Sequence, residues 1–359
     1  MQQYIIRRSI LNVFVLLLVA TMVFGALRID SDSVVTQRAA GCFAAGAGPE
    51  ADAECKERAR QELGLDANIF EQYWDFMWDL SPLDLRGWSV SLDWPDLGLS
   101  FNQKEPVIDE IAARLPASAE LGLLQIMVAL IVAIPIGIVS AIRQDSWVDY
   151  LLRFFSIGWL GIPVFVIAVF EVIVVGRWLG DWELLGKIPL IPSTLFADWG
   201  SPAGAQYKNF SFTSWDDSVE NLQAMAAPAL LGGLATGAII MRFLRSQMLE
   251  VLRQDYVRTA WSKGLKERVV VIRHALKNAL IPVLTLVGIL LGSVIAGNVV
   301  LENIYRINGI GFFVTSAVAQ APDFPVVQGV VIVIATGLVF VNLAVDILYG
   351  WLDPRIRYG

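Results

Sequence analysis

The chain has 359 residues, of which 56% are hydrophobic and only 17% charged, with a formal net charge of −7. A soluble domain of this length cannot hide so much apolar surface. The acidic balance also argues against nucleic acid as a partner, because that role calls for a net basic footprint.

Six apolar runs are long enough to cross the hydrocarbon core, which takes about 20 residues of helix. They are Ser9–Leu27, Leu121–Ile142, Phe154–Gly176 (interrupted by Glu171), Asn221–Met241, Asn278–Leu301 and Phe324–Val345. None alternates as a barrel strand does, so helices are the spanning element. Arg7 and Arg8 precede the first run, as in a signal peptide. The run is too long for that role and no A-x-A site closes it, so it reads as a retained transmembrane helix. With the N-terminus placed in the cytoplasm, more than half of the 27 Lys and Arg fall in inside segments. Most acids then fall outside, which obeys the positive-inside rule. Both termini are expected in the cytoplasm.

The expected organisation is a first transmembrane helix over 1–29, an extracytoplasmic segment over 30–116, a transmembrane domain over 117–352 and a cytoplasmic tail over 353–359. The segment over 30–116 is too long for a simple connection. Within it, Ala51–Leu63 reads as a helix. Asn68–Leu80 reads as an amphipathic one, with Phe70, Tyr73, Trp74, Met77 and Trp78 at helical spacing. Two readings stay open for these aromatics: the core of a small domain or a membrane-surface face, and a contact with substrate or a binding protein. Cys42 and Cys55 fall in the same segment. In an oxidising compartment they are expected to pair. The closed loop of about 14 residues would be worth about 3 kcal/mol in the chain-entropy treatment.

Val107–Leu115 reads as a short amphipathic helix, followed by Pro116 and the entry to the second span. The segment Trp178–Glu220 is rich in Pro, Gly and Trp and lacks periodicity. Glu171 is the main candidate for chemistry within the membrane, since a carboxylate at depth faces a cavity or a partner. Being close to Arg177, it also fits an interfacial position. Glu120 and Asp346 lie near helix ends. NGIG at Asn308–Gly311 reads as a turn near a helix end.

Several chemistries are missing from the sequence. The single histidine, His274, stands without a ligand set at metal spacing. No phosphate-binding GxxxxGK[ST] loop or GxSxG nucleophile motif occurs. No catalytic residue and no metal site is assigned.

The loop over 246–277 carries the strongest signal. Asp255–Ser262 reads as a short helix that Gly264 terminates with positive φ. Held in the cytoplasm between two spanning segments, it forms a lever. Tyr256, Ala260, Trp261 and Leu265 supply bulk, and the basic residues around them suit acids on a soluble partner. A solvated basic loop is the alternative that charge alone would favour.

The string DYVRTAWSKGL, followed by RHALKNALIPVLT, resembles the "EAA" coupling loop of ABC importer permeases, most closely the peptide and nickel type. Ala260 and Gly264 match the second Ala and the Gly of the wider pattern. Arg258 and Thr259 stand where that pattern has Glu and Ala, as in the peptide branch. Trp261 and Ser262 depart from that branch's usual Arg-Ala. The resemblance extends over Gln3–Ile29 and about Leu97–Arg357, and is weak in Trp182–Asp217. It implies an all-α membrane protein of six transmembrane helices with the type I importer permease fold and a large external loop between helices 1 and 2. It also implies a second homologous permease, two ATPase subunits that bind ATP and Mg, and an extracytoplasmic solute-binding protein. The residues expected to meet an ATPase are Asp255, Tyr256, Arg258, Thr259, Ala260, Gly264 and Leu265. No cofactor is expected in this chain. The solute pathway is expected to use the small-residue segment Gly288–Gly297, although packing alone would account for those glycines. A secondary transporter or channel, and a membrane scaffold or receptor, are the competing classes.

Overall fold

The computed structural model describes residues 2–29, 31–40, 49–63, 65–81, 83–84, 91–92, 95–174, 215–319 and 322–352. The helices in chain order are α1 Gln2–Ile29, α2 Ser31–Ala40, α3 Pro49–Glu62, α4 Ile69–Asp79, α5 Val107–Ile142, α6 Trp147–Gly161 and α7 Val164–Val174. They continue as α8 Trp215–Leu252, α9 Asp255–Ser262, α10 Glu267–Val269, a π-helical segment Val270–Leu276, α11 Lys277–Ala296, α12 Val299–Tyr305, α13 Ile310–Ala319 and α14 Phe324–Leu352. One antiparallel pair of two-residue strands, Leu83–Asp84 with Ser91–Leu92, is also described.

Among the described residues, five helices are long and apolar enough to cross a membrane, or six if the bent pair Trp147–Gly161 and Val164–Ile173 counts as one span. That pair corrects the expected continuous run Phe154–Gly176, because the two helices meet at 88°. The break falls at Ile162–Pro163. Proline disfavours the α conformation of the residue before it, and Ile162 is extended, with φ −103° and ψ 122°. The same residue type acts differently at Pro116. Val107–Leu115 is not a separate helix; it is the first part of the 36-residue α5, which contains both Pro116 and Pro135. Ala117, Ser118 and Leu121, just beyond Pro116, are fully buried, and their packing holds the helix together. Gly161, Ile162 and Pro163 are all exposed and lack such support. The expected span Asn278–Leu301 likewise ends early, at Gly297 with φ +72°.

The chain forms two compact units, Pro116–Phe312 with Val341–Gly359, and Gln2–Leu115 with Phe313–Phe340. In the second, α2 and α3 pack through Val35, Ala39, Cys55 and Ala59. The helices predicted at Ala51–Leu63 and Asn68–Leu80 appear as α3 and α4. Asn68 caps α4 by accepting from the Phe70 amide at 3.3 Å. Asp323, buried, accepts from Ser100 Oγ at 2.7 Å and from the Asn102 amide at 3.0 Å. Cys55 is not a free thiol, while Cys42 lies outside the described residues.

The core of the first unit lies between α5, α8 and the π–α11 segment. Ile126, Ala129 and Ala133 meet Ile240, Leu244 and Met248, with Val271, Ala275 and Val283 on the third side. Small residues let these helices approach closely. A methyl group added at Gly233 would lie 2.8 Å from the Gln125 carbonyl oxygen.

Candidate partner-docking site

The turn between α8 and α11 has an inner and an outer face. Helix α9 runs from Asp255 to Ser262, and Gly264 follows at φ +73°. Both features agree with the expectation. Val257 and Ala260, three apart on one side of α9, are buried with Val270 against Val251 and Leu252. Residues three and four apart share a helix face, so this spacing fixes which side packs inward. Ala260 therefore seats the helix on its own bundle. Asp255, Tyr256, Arg258, Thr259, Trp261, Gly264 and Leu265 are exposed. The structure thus separates one expected contact residue from the other six.

Tyr256 is partly anchored. Its hydroxyl oxygen accepts from Asn278 Nδ2 at 2.8 Å, and Asn278 Nδ2 also donates to the His274 carbonyl at 3.1 Å. Thr259 Oγ1 and Ser262 Oγ donate to carbonyls one turn back, those of Asp255 and Arg258. The Lys263 amide donates to Thr259 O and the Gly264 amide to Trp261 O, which closes the helix end. Arg258 lies 3.5 Å from Asp255, but both are strongly exposed, so this pair adds little rigidity. Arg253, Lys263, Lys266, Arg268, Arg273 and Lys277 are also exposed around the turn. The outer face thus combines Tyr256, Trp261 and Leu265 with positive charge, which suits an acidic groove.

Two buried carboxylates not singled out by the sequence brace the bundle, Asp149 near this turn and Glu302 beyond the opposite end of α11. Asp149, at the start of α6, is fully buried. It takes two hydrogen bonds from Arg245 of α8, at 2.9 and 2.7 Å, and one from the Asp145 amide at 3.1 Å. Ser140 Oγ donates to it as well. Glu302 of α12 is also fully buried. Its oxygens accept from Ser118 Oγ at 2.8 Å, the Asn298 amide at 3.0 Å and the Phe312 amide at 3.0 Å. The NGIG turn is wrapped around this carboxylate, and the Ile310 amide donates to Ser118 Oγ at 2.8 Å. Glu171 accepts a hydrogen bond from the Tyr305 hydroxyl at 2.6 Å. Beside it, Ala168, Leu231 and Leu301 form an apolar cluster, a setting that needs no role in ion coupling.

A cavity of about 360 Å³ lies among α5, α8 and the end of α11, lined by Gln125, Gly232, Thr236, Val294, Gly297 and Asn298, among others. Among the described residues, no group of His, Cys, Asp and Glu is placed to hold a metal ion.

Comparison with known proteins identifies the family. Residues 133–358 match the family described as "Binding-protein-dependent transport system inner membrane component". Residues 1–122 match its N-terminal companion. The dipeptide transport system permease protein DppB of Alkalihalophilus pseudofirmus is 36% identical over 316 residues, covering 87% of each chain. The protein of the same name from Escherichia coli is 34% identical over 300 residues, covering 83% of this chain and 84% of that one. The glutathione transport system permease protein GsiC of Shigella flexneri is 32% identical over 312 residues, covering 87% of each. A membrane bundle of this length, carrying the expected short helix between two spans, and this breadth of similarity lead to one assignment: the chain belongs to the binding-protein-dependent transport family, as a multi-pass inner-membrane permease component of an ABC importer.

Proposed function

We propose that this permease moves small peptides into the cell, powered by ATP that binds and is hydrolysed, with Mg, on separate ATPase subunits. The observation that carries the coupling is the two-faced helix α9: Val257 and Ala260 bury one side, and Tyr256, Arg258, Trp261 and Leu265 are open on the other. The open side seats in a groove of one of two ATPases. A second homologous permease completes the pathway, and an extracytoplasmic binding protein delivers the solute. The N- and C-termini lie in the cytoplasm, which puts the basic turn on the ATPase side.

Closure of the ATPase pair pushes on α9, and the turn transmits that push into α8 and α11 because its inner face is packed. ATP and loaded binding protein drive the cycle only to the extent that they bind the outward-facing state more tightly than the inward-facing one. Peptide as solute rests on the names of the relatives above. The cavity beside Gln125, Thr236 and Asn298 supports it, since neutral donors and acceptors suit a peptide backbone.

Reconstitution with the co-purified subunits tests the reading. ATP-dependent uptake of a labelled dipeptide is expected, with loss on omission of the ATPase or the binding protein. Uptake by this chain alone would overturn it and return the secondary-transporter reading.

A further inference from the structure

We infer that α4 is an interfacial helix, lying in the headgroup layer beside the end of α1 with its outward aromatic face against lipid. Its apolar surface is wider than the contact it makes with the protein. On one side Tyr73 and Phe76 pack on Phe24 of α1, with ring centroids 5.3 and 5.5 Å apart. The Tyr73 hydroxyl is 2.8 Å from Thr21 Oγ1, and Arg28 Nε donates to Gln72 Oε1 at 2.8 Å. A second stripe, Phe70 and Trp74, follows at a spacing of four and stands 78% and 65% exposed. Trp74 is stacked on Trp78 at 6.3 Å, so the stripe is an ordered aromatic surface. Glu71, Asp75 and Asp79 fall on the remaining side of the same helix.

Depth decides what covers that stripe. The candidate span of α1 is Ile6–Ala26, so Thr21 and Phe24 lie in its last turns. A helix bonded to those two residues is held at the edge of the hydrocarbon core. Aromatic residues concentrate at that level, because a ring buries its face while its polar tip stays wet. Exposed Ile10, Phe14, Leu18 and Met22 make α1 itself an apolar surface, and Phe70 and Trp74 add further exposed apolar area on the helix held at its end. The Arg28 guanidinium, 4.5 Å over the Phe24 ring, marks the polar boundary. A helix with a charged side opposite Phe and Trp can lie in the interface plane; here the charged side is acidic, so the aromatic face rather than headgroup attraction holds it there.

A benzophenone amino acid placed at position 70, 74 or 75 of the full-length chain, in its native membrane with partners present, tests this. After irradiation, probes at 70 and 74 are expected to capture radiolabelled phospholipid several-fold more than the probe at 75. Adducts at 70 and 74 with the binding protein, the second permease or another copy of this chain would overturn it. So would equal lipid capture at all three positions, or lipid capture at none of them.

Discussion

Arg245 grips Asp149 with two hydrogen bonds, of 2.9 and 2.7 Å, across 96 residues of chain. The pair ties the start of α6 to α8 seven residues before α8 ends and ten before α9 begins. With Ser140 donating to the same carboxylate, three helices are fixed relative to one another close to the candidate docking turn.

Removing one partner of this pair leaves a buried charge uncompensated, which costs about 3–5 kcal/mol. Asp149→Leu alone, or Arg245→Met alone, should therefore lower the unfolding midpoint of the purified protein sharply. The double variant should recover much of the loss, since both charges are gone. Additive losses in the double variant would show that the two residues act separately.

The two faces of α9 should separate by substitution. Val257→Asp forces a carboxylate into the packed side and is expected to loosen the turn from its own bundle, with lower stability and lost uptake. Trp261→Asp, on the open side, should change stability by no more than about 0.5 kcal/mol while weakening capture of the ATPase in detergent. Similar thermal losses in both would mean that the outer face is not a docking face.

Gly264→Asp probes the turn itself. Nothing lies within 4 Å of an added Cβ, so the strain comes from φ +73° alone. The left-handed conformation costs a side-chain-bearing residue about 1–2 kcal/mol. ATP-driven uptake should fall roughly fivefold to thirtyfold at that energy, with membrane insertion unchanged. Normal uptake would remove Gly264 from the coupling argument.

Around Glu302 the chain leaves no slack. A methyl at Gly311 would lie 2.6 Å from the Val299 Cα, which cannot move aside without shifting α12. Gly311→Ala should thus destabilise the protein more than Ser118→Ala, which removes one hydroxyl and costs about 1–3 kcal/mol through the groups left unpaired. Thermal unfolding in detergent ranks the two, and the reverse order would contradict the packing described.

For the cysteines, we propose that Cys42 pairs with Cys55. Alkylation without reductant should then leave the mass of the denatured chain unchanged. Two added labels would refute the pairing.

What could be read from the sequence was local. Asp255–Ser262 and the Gly264 turn were legible because a short periodic segment and a following glycine carry their own boundary signals. The long apolar runs gave the spans for the same reason. Long-range partners were not legible: Glu302 meets Ser118 across 184 residues, and neither residue type signals the other. Nor could Pro116 be told from Pro163, since packing of the neighbouring turn decided which one broke its helix. The aromatic helix α4 was visible as amphipathic, but the division of its aromatics between α1 and an open face needed the fold.

Helix α8 has 38 residues, or about 57 Å of helix at 1.5 Å per residue, against a hydrocarbon core of about 30 Å. Its last apolar residue before the charged end is Met241, so Arg242–Leu252 adds about 16 Å of stalk. If the stalk stands near the membrane normal, α9 sits roughly 10 Å beyond the headgroups, further than the Debye length of about 8 Å. At that stand-off, anionic lipid competes only weakly for Arg258, Lys263 and Lys266. Their charge stays available to a soluble protein, and the strength of that association should track salt concentration rather than lipid composition.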